Sequence, residues 1–91
     1  MAKLERQVTI INKLGLHARA AAKFVTLAGS FDSTVQLWRD GREVNAKSIM
    51  GVMMLAAAKG TELRLVVEGP DAEEAASALG GLVENRFGEE E

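Results

Sequence analysis

The chain has 91 residues, 47% of them hydrophobic and 26% charged, with a formal net charge of -2 and no cysteine. That size supports one domain, residues 1–91, built on a single apolar layer. The charge balance lacks the cationic surplus of a nucleic-acid binder, and the absence of cysteine removes disulfide frameworks, thiolate metal sites and cysteine nucleophiles. No stretch nears the roughly 20 apolar residues of a membrane span, and "MAKLERQVTI" has no apolar leader core, so a cytoplasmic protein is expected.

From Arg6 to Ile11, Val8 and Ile10 alternate with Gln7 and Thr9, which predicts a first, half-buried strand. After Gly15, the apolar positions Ala21, Phe24, Val25 and Ala28 recur at helical spacing before Gly29, predicting a helix from about Ala18 to Ala28. "STVQLWRDGREVNA" carries Val35 and Leu37 on one face, turns at Asp40-Gly41 and resumes through Val44, the pattern of a hairpin with a type I′ turn. Trp38 falls on its outward side. "KSIMGVMMLAAAKG" predicts a second helix with Ser48 as its cap and Gly60 as its end, weakened by about 1 kcal/mol at Gly51. Leu63, Leu65 and Val67 mark a fourth strand; "GPDAEE" opens a last helix with Ala72, Ala75, Leu79, Leu82 and Val83 as its core stripe. The order is βαββαβα, an α+β class in which one sheet is covered on one face by helices, and the acidic tail 88–91 is expected to be disordered.

His17 is the single histidine, and it stands where a helix normally begins with Ser, Thr, Asp or Asn. First-turn amides have no intrahelical partner and carry partial positive charge, so an anion is favoured there. A phosphoryl group accepted by the ring would be held by those amides, and Arg19 can add a guanidinium. No Ser/His/Asp arrangement and no second histidine accompany it, which disfavours a hydrolase or a metal site. The same element order serves RNA-binding and metal-chaperone domains, but the strand aromatics of the first and the cysteine pair of the second are missing.

"GLHARAAAKFV" together with "VNAKSIMGVMMLAAAKGTEL" resembles the HPr family, the histidine phosphocarriers of the bacterial phosphotransferase system, over Arg6 to about Phe87. "NKLGLHAR" and the acidic end are more similar to the nitrogen-related proteobacterial branch. The resemblance implies an open-faced β-sandwich, a four-stranded antiparallel sheet under three helices, acting as a cytoplasmic monomer without cofactor or metal. It implies that His17 is phosphorylated on Nδ1 by phosphorylated enzyme I, itself charged by phosphoenolpyruvate, and passes the group to a histidine of an EIIA protein. In the same terms Arg19 is the active-centre arginine, Ser48 a regulatory site for an HPr kinase/phosphorylase, and Ile49, Met50 and Met53 the face that meets partners. The commonest family motif reads H-x-R-P, and here Ala20 replaces that proline, restoring one backbone amide. The alternative is a regulatory HPr-like binding protein whose phosphorylation state serves only as a signal.

Overall fold

The turn at Asp40 and Gly41 places both residues at positive φ, 49° and 81°. This is the backbone that a two-residue hairpin with right-handed strand twist requires. It joins β2 (Thr34–Arg39) to β3 (Arg42–Asn45), and with β1 (Ala2–Thr9) and β4 (Glu62–Gly69) these form one antiparallel sheet in the order β1-β4-β2-β3. The computed structural model describes residues 2–91. Three helices, α1 (Ala18–Gly29), α2 (Ile49–Met53) and α3 (Ala72–Glu84), complete the order, followed by a single 3₁₀ turn at Arg86–Gly88. The expected four-stranded open sheet with three helices is therefore what the chain forms.

Strand register explains which face is covered. Leu37 opposes Leu65 and Val44, Val35 opposes Val67, and Val8 opposes Leu63; all are buried and join one cluster with Phe24, Val52, Leu79 and Val83 from the helices. The outward face carries Glu5, Gln36, Trp38 and Arg64, with the Arg64 guanidinium 5.2 Å from the centre of the Trp38 ring. Charged and amide groups on that face keep it wet, as an open antiparallel sheet permits.

Three boundaries differ from the sequence expectation. β1 begins at Ala2 rather than Arg6 and ends at Thr9 rather than Ile11. Ala2 and Leu4 share the parity of Val8 and Ile10, but polar Arg6 interrupts the apolar series, and with Ala2 exposed and Leu4 only half-buried these residues are held chiefly by the backbone ladder to β4, in which Ala2 opposes Gly69. Ile10 leaves the strand but stays fully buried, its N–H bonded to Thr61 O and its carbonyl accepting from Gly60 N. α2 is far shorter than the predicted helix, because Ala56 turns left-handed at φ 49° and Arg39 donates to the carbonyls of Leu55 and Ala56. Gly51 has a packing reason for being there: a Cβ on it would stand 3.2 Å from Asn45 O, so the start of α2 lies directly on the end of β3. On α3 the core stripe includes Ala76, while Leu82 is only half-buried.

Asp71 precedes α3 without capping it, and its carboxylate instead accepts from Asp32 N and Ser33 N at 2.9 Å each and from the Ser33 hydroxyl. The Ser33 hydroxyl, then the Asp32 amide, hold its carboxyl below the ordinary aspartate range, against the opposing effect of desolvation. A depressed carboxylate stabilises the fold above its unfolded value of about 4 and loses that contribution as pH falls through the lower folded value. Replacing Asp71 with Asn should therefore flatten the acid limb of the stability curve, measured by denaturant unfolding between pH 2 and 7 (roughly the carboxylate window). An unchanged acid limb would show that these three bonds do not tie the α1–β2 loop to α3.

Candidate functional site

Gly15 determines where His17 stands. At φ 69° it takes a left-handed turn, and an added Cβ would lie 2.6 Å from Ala57 O and 2.9 Å from Ala58 Cα. The turn is closed by Gly15 N donating to Asn12 O, and the next amide, Leu16 N, donates to Ala57 O at 2.8 Å. His17 follows in extended geometry (φ -70°, ψ 176°) as the N-cap of α1, and its carbonyl accepts from Ala21 N at 2.8 Å. Its side chain makes no cap bond. The amides of Ala18, Arg19 and Ala20 thus have no intrahelical acceptor, the condition in which a helix start attracts an anion. Ala20 is fully buried, so its methyl group faces the core while its N–H remains part of that first turn. Arg19 is exposed and, among the described residues, makes no hydrogen bond or ion pair.

The acidic tail, expected to fray, lies against this histidine instead. After α3 the chain passes through three consecutive positive-φ residues, Arg86 (56°), Phe87 (54°) and Gly88 (79°). Phe87 is fully buried in the core, and its carbonyl accepts from Lys23 Nζ at 2.8 Å. This anchor turns the chain back so that Glu89 Oε2 is hydrogen-bonded to His17 Nε2, while Glu89 Oε1 accepts from Asn12 Nδ2 at 2.8 Å. Asn12 is itself fully buried and spends its other amide hydrogen on Gly15 O, also at 2.8 Å. The Asn12 amide first, and then the hydrogen bond from His17, hold the Glu89 carboxyl below the ordinary range against desolvation, with the charge of Arg19 adding to the effect. A shallow cleft beside them is lined by Lys13, Leu14, Arg19, Lys23 and the tail, and Lys13 N donates to Glu91 O at 2.5 Å.

The sequence reading found His17 and Arg19 here and missed Asn12, Phe87 and Glu89. Only Phe87 left a signal, as a lone aromatic amid polar and acidic neighbours. Ser48 caps α2 as expected, its Oγ accepting from Gly51 N at 3.3 Å. Ile49, Met50 and Met53 are exposed (40%, 70% and 43%), and so is Met54 at 61%, while Val52 and Leu55 carry the buried side of the segment. α2 packs against α1, so this apolar face and the histidine belong to neighbouring elements. Among the described residues no group of three or more His, Asp or Glu side chains is placed to hold a metal ion.

Known proteins are similar to this chain over nearly its whole length. The family profile described as "PTS HPr component phosphorylation site" matches residues 4–85. The phosphocarrier protein HPr of Cupriavidus necator is 61% identical over 88 residues, which cover 97% of this chain and 99% of that protein. The crystal structure of HPr-C-His from Thermoanaerobacter tengcongensis superposes with a TM-score of 0.93 at 49% identity, covering 97% of this chain and 99% of the other. A crystal structure of the Bacillus subtilis catabolite repression protein Crh, described as a domain-swapped dimer, gives a TM-score of 0.74 at 46% identity over 91% of this chain and 95% of that one. Matches of this extent, on sequence and on structure alike, mean that the chain belongs to the HPr family of phosphocarriers of the phosphotransferase system.

Proposed function

We propose that His17 accepts a phosphoryl group on Nδ1 from phosphorylated enzyme I and delivers it to a histidine of an EIIA protein. The observation that carries this reading is an imidazole at a helix N-cap that does not cap, beside first-turn amides without acceptors and an unengaged Arg19. In the transfer the donor's bond to phosphorus breaks, its electron pair leaves with the donor, and the Nδ1 lone pair forms the new N–P bond. No metal or cofactor takes part, and the protein carries the group without turning over a substrate of its own. The carrier acts as a monomer in this reading. A cytoplasmic location goes with this reading, supported by the family's soluble relay chemistry.

With phosphoenolpyruvate and enzyme I, the protein should acquire an acid-labile, base-stable phosphoryl group and lose it to EIIA. His17→Ala should acquire none, and Arg19→Ala should slow transfer by about 10- to 100-fold, the equivalent of one charge-assisted hydrogen bond. Uptake by His17→Ala would refute the assignment. Uptake by the native protein with no onward transfer to any EIIA would favour the regulatory alternative.

Ile49, Met50 and Met53, joined by Met54, are the docking face in this reading, since flexible thioethers suit a surface that fits successive partners. Met53→Glu should weaken the enzyme I complex about tenfold or more, read by titration calorimetry, because a charge would be desolvated at the contact. Thermal stability should stay within about 0.5 kcal/mol of the native value, as for other exposed positions; a large loss would identify Met53 as core.

Ser48 is the regulatory position, open to an HPr kinase/phosphorylase where that partner exists. Its phosphate would bring about -1.5 to -2 charge to the edge of the docking face. Ser48→Asp, and more strongly the phosphorylated protein, should accept phosphate from enzyme I more slowly while remaining folded. Native rates in both would leave Ser48 as the cap of α2 and nothing more.

A further inference from the structure

We propose that Glu89 is a positioning residue for phosphoryl transfer, fixing the imidazole of His17 with its proton on Nε2 and its lone pair on Nδ1. The inference rests on the reading that Nδ1 is the acceptor atom.

An ionised carboxylate can only accept a hydrogen bond. A ring nitrogen paired with it must therefore carry the hydrogen, and the hydrogen bond at one nitrogen sets the role of the other. Glu89 Oε2 is paired with His17 Nε2, so in the neutral ring the second nitrogen presents a lone pair. His17 makes no other side-chain hydrogen bond among the described residues, which leaves that lone pair uncommitted.

Glu89 is itself held from three directions. The fully buried Asn12 aims one amide hydrogen at Oε1 and the other at Gly15 O, linking the carboxylate to the turn that places the histidine. Phe87, buried two residues before it, anchors the tail, and Lys23 bonds the Phe87 carbonyl. Three successive left-handed residues, two of them not glycine, occupy a backbone region that L-residues avoid unless their surroundings impose it. The buried phenyl ring provides that imposition. The lowered carboxyl of Glu89 agrees with an ionised partner at neutral pH.

The arrangement suits both directions of transfer. When Nδ1 attacks phosphorus and the donor leaves with its bonding pair, the ring gains a positive charge while Nε2 keeps its hydrogen. Glu89 stands against that charge. When the group moves on, the N–P electron pair returns to Nδ1 and the ring departs neutral, again with its hydrogen on Nε2. No proton has to move in either step. The carboxylate thus plays the orienting part that a buried aspartate plays for a catalytic histidine in hydrolases.

The test uses the full chain with ¹⁵N-labelled histidine and the variants Glu89→Ala and Glu89→Gln. In the native protein at alkaline pH, the ring should show a protonated Nε2 and an unprotonated Nδ1. In Glu89→Ala the two nitrogen shifts should move toward each other as the tautomers mix, and single-turnover uptake from phosphorylated enzyme I should fall about tenfold or more, the scale of one charge-assisted bond. Glu89→Gln, which keeps an accepting oxygen without the charge, should fall between the two. An unaltered tautomer in Glu89→Ala overturns the proposal. So does a native rate, and so does a faster one, which would make the tail an obstruction. If the native protein takes up no phosphate at all, the carrier reading fails, and the nitrogen shifts alone decide whether Glu89 orients the ring.

Discussion

The close crossing of the Gly15 backbone over Ala57 and Ala58 is the constraint on which the rest of the site depends. Leu16 N reaches Ala57 O at 2.8 Å only because Gly15 brings no side chain to a place where a Cβ would sit 2.6 Å from that oxygen. The contact sets the first residue of α1, and with it the extended backbone of His17. It also demands that the chain after Met53 run as an irregular segment, since Ala57 must offer its carbonyl outside its own helix. Ala56 accordingly stands at φ 49°, and the carbonyls of Leu55 and Ala56 are taken up by Arg39. A short α2 and an uncapped histidine are two results of one crossing.

Much of the architecture was legible because it is written in local periodicity. The hairpin follows from Asp40-Gly41 between alternating strands, β4 from Leu63, Leu65 and Val67, and α1 from the spacing of Ala21, Phe24 and Ala28. What escaped depends on partners distant in the chain. The first residues of β1 are strand because β4 offers them a ladder; Ala2 and Leu4 alternate with Lys3 and Glu5, but polar Arg6 breaks the series before Val8. The run from Ile49 to Ala58 is apolar and alanine-rich, which predicts helix, yet tertiary contacts with Leu16, Arg39 and Arg42 end it after five residues. Apolar content also could not say which methionines face outward; burial of Val52 and Leu55 decides it.

The residues of the candidate site divide along the same line. His17 stood out by residue type, the single histidine at a helix start with no capping side chain, and Arg19 by proximity to it. Asn12 had no such mark, because a loop asparagine reads as a turn former, and only the fold shows it fully buried with both amide hydrogens committed. Its Oδ1, buried and without a partner among the described residues, shows that Asn12 is placed for what its nitrogen does. Glu89 was hidden for the opposite reason: three successive glutamates after a glycine have the composition of a solvated end. Phe87 overrides that composition, since burying a phenyl ring is worth about 1.5–3 kcal/mol, enough to hold the residues next to it.

Within the tail, the carboxylates are held unequally, and the difference matters for a surface that must exchange partners. Glu91 meets Lys13 Nζ at 3.5 Å with both side chains largely exposed, a contact that contributes little in water and weakens further with salt. Glu89 is bonded from a fully buried amide and by the histidine itself, with its side chain only 14% exposed. An acidic partner surface approaching Lys13, Arg19 and Lys23 would therefore displace Glu91 at small cost while Glu89 kept its place on Nε2. Of these cations only Lys13 would exchange an ion-pair partner, since Arg19 has none among the described residues and Lys23 is bonded to the Phe87 carbonyl. A tail pinned at Phe87 and Glu89 but loose beyond them lets the cleft rearrange at Glu91 while the contact on His17 stays in place.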